Sequence, residues 1–332
     1  MSSLHVGFLF IAAGAVVVGA ATSLARYADV IALRTRMGRL WVGAVVLATA
    51  TSLPELGTDV AAVRLGAANL AVGDLFGSSM ANMLILALVD LLHPRRSVLR
   101  QATLDHALSA SLALCLNAFA TIFILWPSDI LLGWVSPESL VLASVYVVGT
   151  RAVYRHAVRE ALAASEPPGQ AVPSLRRAVL NFAVAAAIIL LAAPVFAFAA
   201  KRVAELTGLG HTFMGTWLVG FSTSLPELVA SLAAVRLGAF DLAIGNLFGS
   251  NAFNMSVFVW LDLASPEGSI FALADKVHAL SGLFAVTLMA LGVAAIVYRA
   301  KKRFAMLEPD SALIVLVYVL GLWMLYANRG AG

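Results

Sequence analysis

Thr51, Ser52 and Glu55 stand at positions i, i+1 and i+4, and Thr223, Ser224 and Glu227 repeat that spacing 172 residues later. On a helix, residues three and four apart share a face, so each trio can converge on one point. A second element of each set follows: Ser78 and Asn82 in one, Ser250 and Asn254 in the other, each serine behind a glycine and four residues before its asparagine. Every donor in the two sets is an oxygen from a carboxylate, hydroxyl or amide. Neither cysteine nor histidine stands in either motif, so the sets suit hard cations such as Ca²⁺, Na⁺ or Mg²⁺ and not soft transition metals. Ca²⁺ tolerates irregular coordination, whereas Mg²⁺ requires a tight octahedron and releases water reluctantly. Ca²⁺ is therefore the favoured ion. Two glutamates carry a charge of −2, which balances one Ca²⁺ or two Na⁺, and competition between those loads is the logic of an antiporter.

Pro54 and Pro226 directly precede the two glutamates. A proline inside a helix lacks an N–H and pushes away the carbonyl four residues earlier, here that of Ala50 and of Ser222. Both helices are expected to break at this point, and freed carbonyls at membrane depth need a partner that a bound cation supplies. The surrounding segments, residues 51–83 and 223–255, share 22 of 33 aligned positions. Small residues at this density also serve helix packing in lipid, but packing does not require glutamate. An ionisable side chain deep in a span reads as functional.

The elements that must hold these residues are membrane helices. The 332 residues are 61% hydrophobic and 12% charged, and the mean hydropathy is +0.93. Ten apolar runs, residues 6–24, 41–63, 70–92, 104–126, 140–153, 179–200, 213–235, 242–263, 280–297 and 313–325, approach the roughly 20 residues that span hydrocarbon. The expected fold is an all-α membrane protein of ten transmembrane helices. Basic residues sit singly or in twos and threes between the runs, which marks loop anchors and argues against a nucleic-acid partner. With an external N-terminus, 17 of the 22 Lys and Arg fall in inside loops and 5 outside, so the positive-inside rule places both termini outside the cytoplasm. Residues 1–10 lack a basic n-region, and the first run is read as a span and not as a cleaved signal. A cytoplasmic, inner or plasma membrane fits this layout.

Five spans per copy is an odd number, so the second copy enters from the opposite side and the repeat is inverted. Residues 154–177, with Pro, Gly and charges, form the cytoplasmic joint between a first five-helix repeat at 1–153 and a second at 178–332. The joint is too short for a folded domain. Inverted repeats around a midplane ion site are a recurring plan of secondary transporters. The reading requires the lipid bilayer and the transported ions, with no cofactor and no obligatory protein partner.

Through these paired segments, TSLPE with GSSMAN and TSLPE with GSNAFN, the chain resembles the calcium/cation antiporter superfamily, in particular its prokaryotic sodium/calcium exchanger branch. The resemblance implies alternating access to one central site, with Glu55 and Glu227 as shared ligands of Ca²⁺ and Na⁺. It implies Thr51, Ser52, Ser78, Asn82, Thr223, Ser224, Ser250 and Asn254 as the surrounding ligands, and spans one and six as a sliding pair. Two departures follow. Ser79 stands opposite Asn251, and Asn254 occupies a place where many of these exchangers carry Asp, which bears on stoichiometry and on the driving ion.

Asp59, one turn beyond Glu55, and Asp74, one turn before Ser78, have Ser231 and Asn246 as repeat counterparts. Either acid could be an additional cation or proton site; a helix-start acid favoured by the dipole is the plain alternative for Asp74. Asp90 and Asp262 match across the repeat and read as solvated span-end acids. Arg64 and Arg236 read as snorkelling anchors, and Cys115 as a buried small hydrophobe. His106, His211 and His278 read as scattered, without a repeat partner or metal spacing.

The nearest rival keeps the fold and couples to H⁺ through Glu55, Glu227 or Asp59. An intramembrane enzyme would need one asymmetric set of nucleophile and base, which a duplicated site with no His or Lys beside either serine does not offer. A passive channel has no need of mirrored halves.

Overall fold

A computed structural model of the chain describes residues 3–93, 98–101, 105–128, 130–163, 173–206, 222–298 and 309–327. All of its regular elements are helices apart from one isolated bridge between Leu132 and Val135. We label them α1 (Ser3–Thr35), α2 (Arg39–Arg64), α3 (Ala68–Leu91), α4 (His106–Leu125), α5 (Pro137–Ala163), α6 (Leu175–Leu206), α7 (Leu225–Arg236), α8 (Phe240–Ser256), α9 (Phe258–Ala264), α10 (His278–Tyr298) and α11 (Pro309–Ala327).

Seven of these, α1, α2, α3, α4, α6, α10 and α11, are long and apolar enough to cross a membrane. The sequence expectation was ten spans, and the difference has local causes. Helix α5 is long enough, but Glu138 and Arg151, Arg155 and Arg159 make it more polar. The expected run 242–263 is divided at Val257 between α8 and α9. The run 213–235 lies partly outside the described residues, and only α7 represents it.

The turns that close the motif helices are built alike in both copies. Gly66 and Gly238 adopt φ of 76° and 74°, a left-handed conformation open to glycine at little cost. There the amide of Ala67 reaches Ala62 O and that of Ala239 reaches Ala234 O, both at 2.9 Å. These bonds close carbonyls that the helix end would leave unpaired. Arg64 and Arg236, two residues before these glycines, are exposed.

Packing follows the repeat. The two longest helices, α1 and α6, lie against each other and against α2 and α7. Helices α2, α3, α7 and α8 form the centre, and α4 and α10 cross on its far side. At 33 and 32 residues, α1 and α6 are each about 50 Å long, more than the roughly 30 Å of hydrocarbon, so they tilt or protrude. The fold is inside-out relative to a soluble domain. Phe8, Ile11, Leu191 and Trp323 face outward, while Thr51, Glu55, Asn82, Glu227, Asn251 and Asn254 are buried.

Two sequence expectations fail here. Asp90 and Asp262, read as solvated span-end acids, are each only 1% exposed. Asp90 accepts from the Leu99 amide at 3.1 Å and from Ser311 Oγ at 2.6 Å. Asp262 accepts from the Ile270 amide at 2.8 Å, the Ser136 amide at 2.8 Å and Ser136 Oγ at 2.6 Å. Each acid holds the short helix that follows it and reaches across to the last helix of the other half, α11 or α5. Cys115, read as buried, is exposed on α4 and carries no disulfide.

Candidate cation site

Helix α2 does not break at Pro54. The helix Ala48–Arg64 runs through the proline, and the irregularity lies further upstream, in a π-helical stretch, Val42–Leu47. A π segment widens the helix and redirects its hydrogen bonds, and such segments often mark functional positions. Here Gly43 and Ala44 press against α8. A Cβ on Gly249 would lie 2.2 Å from Ala44 O, and one on Gly245 would lie 2.7 Å from Leu40 O. Only glycine permits this backbone contact, which sets the height of Ser250 and Asn254 relative to α2. In the second copy the helix is interrupted at Ser224, which precedes α7 and makes no capping bond with its side chain, and Pro226 sits in the first turn of α7. The expected break therefore occurs in one copy only.

The two glutamates are interlocked across the halves. Ser52 Oγ donates to Glu227 Oε1 at 3.1 Å, and Ser78 Oγ donates to Glu55 Oε1 at 3.0 Å. Thr51 Oγ1 lies 3.1 Å from Ala48 O and 3.4 Å from Asn246 Oδ1. Glu55 and Glu227 are 4% and 1% exposed and lie within electrostatic reach of each other. Among the described residues, no ion pair brings a basic side chain to either.

Around them, buried polar atoms lack a hydrogen-bond partner among the described residues. They are Glu227 Oε2, Ser224 Oγ, Ser250 Oγ, Asn82 Oδ1 and both amide atoms of Asn254. A buried polar group without a partner costs about 1–3 kcal/mol, and an unpaired buried charge several kcal/mol. All of these residues belong to the set expected from sequence. Thr223, the remaining member, is half-buried just before Ser224.

Other residues enter the site by contact. Asn82 Nδ2 donates to Asn251 Oδ1 at 2.9 Å, and Asn251 Nδ2 donates to Ser79 O at 3.2 Å. Asn117, on α4, is fully buried and donates to Ala113 O at 2.9 Å and Asn251 O at 3.3 Å. Sequence reasoning passed over Asn117, although an amide in the middle of the apolar run 104–126 was a readable signal. Asn246 links Ser231 to the site: its Nδ2 donates to Ser231 Oγ at 3.1 Å, and its Oδ1 is the atom facing Thr51 Oγ1. At the matching place in the first half, the carboxyls of Asp59 and Asp74 lie within hydrogen-bonding reach of each other.

The histidines need a correction. His106 and His278 are 172 residues apart and open the equivalent helices α4 and α10, so they are repeat partners. His106 contacts Asp241 Oδ1 at 2.8 Å, a contact between halves and away from the glutamates in sequence. His211 lies outside the described residues. Among the described residues no three His, Cys, Asp or Glu side chains cluster as a metal site, so a cation at the centre would draw on hydroxyls and amides as well as carboxylates.

The profile of the family described as sodium/calcium exchanger protein matches residues 5–154 and 177–327. The chain belongs to that family. The sodium-calcium exchanger NCX_Mj shares its fold with a TM-score of 0.71 at 21% identity, over 96% of this chain and 98% of that one. The membrane protein MJ0091 of Methanocaldococcus jannaschii is 27% identical over 214 residues, 63% of this chain and 65% of that protein's length. The sodium/calcium exchanger MaX1 of Methanosarcina acetivorans is 34% identical over 108 residues, 31% of each chain. As a member of this exchanger family, the protein is an all-helical, multi-pass membrane transporter and not an enzyme.

Proposed function

We propose that the protein exchanges Na⁺ for Ca²⁺ by alternating access to the central site. The observation that carries this reading is the pair of interlocked glutamates. Glu55 and Glu227 come from matching positions of the two copies, each is held by a serine hydroxyl, and neither has a basic partner among the described residues. Two buried carboxylates at the centre of an apolar protein require positive charge. One Ca²⁺ or two Na⁺ neutralise them equally, so either load stabilises the same closed centre and neither can join the other.

In this reading Glu55 and Glu227 bind both ions. Thr51, Ser52, Ser78, Asn82, Thr223, Ser224, Ser250 and Asn254 complete the coordination as the oxygens they offer are drawn inward. The chain is organised as ten spans in two inverted five-helix repeats, 1–153 and 178–332, joined by residues 154–177. Both termini lie outside the cytoplasm, and α1 and α6 slide together against the centre. Coupling to H⁺ in place of Na⁺ is the second reading, and the adjoining Asp59 and Asp74 carboxyls favour it.

The test is Ca²⁺ uptake into vesicles of purified protein loaded with Na⁺ and diluted into Na⁺-free buffer. Uptake that requires the outward Na⁺ gradient and is lost in Glu55→Gln and Glu227→Gln supports Na⁺/Ca²⁺ exchange. Uptake driven by an imposed pH gradient alone moves the reading to Ca²⁺/H⁺ exchange.

A further inference from the structure

The two copies differ most at one matched pair of positions. In the second half Ser231 and Asn246 are completely buried, hydrogen-bonded to each other and neutral. In the first half the same positions hold Asp59 and Asp74, one turn from Glu55 and Ser78 respectively. Asp59 is 3% exposed and its Oδ2 has no hydrogen-bond partner among the described residues. No ion pair among the described residues joins a basic side chain to either acid. The basic residue at the end of that helix, Arg64, is exposed.

Access differs as well. Asp74 is half-buried and Gly77, one turn on, is exposed, whereas Asn246 and Gly249 at the matching places are buried. On the second half the π-helical stretch of α2 covers that face of α8. Of the three acids, Asp74 is the one most open to the surface, while Asp59 and Glu55 are buried. Asp59 and Asp74 both lie within electrostatic reach of Glu55.

We propose that Asp59 and Asp74 form a separate binding station for one monovalent hard cation, Na⁺, on the α3 side of the central site. A buried carboxylate oxygen with no donor must be neutralised, and the two carboxyls, within hydrogen-bonding reach of each other, share one proton and keep one negative charge, which a single Na⁺ balances. The station would make the chain asymmetric in charge: it adds a Na⁺ to the load carried on the first half and leaves the second half's Ser231–Asn246 pair as an uncharged counterpart. The inference rests on the exchange reading for the ion's identity.

The second copy supplies the variant. Asp59→Ser with Asp74→Asn transplants the Ser231 and Asn246 pair, which this fold already accommodates. Equilibrium binding of radioactive Na⁺ to the purified full-length protein is measured for the wild type, this double variant and Glu55→Gln/Glu227→Gln, with thermal unfolding in parallel. One Na⁺ fewer per protein in the double variant, at an unchanged melting temperature and with Ca²⁺ binding retained, is the expected result. Na⁺ stoichiometry and affinity within twofold of the wild type would overturn the station. So would an unchanged Na⁺ count with one proton fewer released on saturation, which would assign the pair to H⁺. Failure of the exchange reading looks different: the Na⁺ count then stays at the wild-type value in Glu55→Gln/Glu227→Gln, whereas with both readings correct that variant keeps only the station's Na⁺. Should the double variant misfold, Asp74→Asn alone, at the half-buried position, reads the same loss.

Discussion

Glu55 and Glu227 are held by serines, Ser78 Oγ at 3.0 Å and Ser52 Oγ at 3.1 Å, and the two bonds are not equivalent. Ser78 binds the glutamate of its own half, whereas Ser52 crosses to the other. Replacing either carboxylate by an amide removes a full charge from a buried ligand set. Glu55→Gln and Glu227→Gln are each expected to weaken Ca²⁺ binding by at least about 2 kcal/mol, roughly 30-fold, in isothermal titration of the purified protein. Ser52→Ala removes only a neutral hydroxyl that holds Glu227, for a smaller loss of about 1 kcal/mol. At this scale the sequence was most informative, because repeated spacing of Thr, Ser and Glu is a chemical demand written directly in residue types. It was silent on which oxygen meets which donor. The burial of Asp90 and Asp262 was illegible for the same reason: their partners Ser311 and Ser136 are 221 and 126 residues away.

The elements show how two nearly identical segments become different structures. Pro54 lies inside a continuous helix, with a π stretch upstream, while Pro226 lies in the first turn of α7. No local signal in residues 42–47 announces the π turn; it is stabilised by tertiary contact with Gly245 and Gly249 of α8. The contact gives a paired prediction. Gly249→Ala would place a methyl 2.2 Å from Ala44 O, whereas the matching Gly77 has nothing within 4 Å of an added Cβ. Gly249→Ala is expected to destabilise by about 1–3 kcal/mol through overpacking. Gly77→Ala is expected to be neutral or up to about 1 kcal/mol stabilising, from helix propensity. Thermal unfolding of the two variants in the same detergent measures both. By contrast, the turns at Gly66 and Gly238 were legible, since an identical RLGA in each copy carries its own left-handed residue.

For the whole molecule, charge sits in the middle and apolar surface outside, a distribution that the composition already required. The number of spans was less legible, because α5 carries three arginines along its length and α8 and α9 are separated at Val257. Cys115 illustrates the limit of a burial argument in lipid: an apolar run does not say which of its faces the protein covers. Its exposed thiol on α4 should react with a lipid-soluble maleimide and resist a charged, membrane-impermeant one, and Cys115→Ala should leave transport unchanged. Labelling with the two reagents, read by mass shift, decides this.

The acids Asp90 and Asp262 join the halves like buttons on opposite cuffs, each fastened to the last helix of the other. Asp90→Asn and Asp262→Asn are each expected to cost about 1–3 kcal/mol of stability in thermal unfolding, with ion binding per folded molecule retained. Their reach also bears on biogenesis. The first half leaves the ribosome carrying an aspartate whose hydroxyl partner, Ser311, is synthesised 221 residues later. The polypeptide must therefore be inserted as far as α11 before Asp90 of α3 meets Ser311, and a nascent chain halted before Ser311 would remain a target for membrane quality-control proteases.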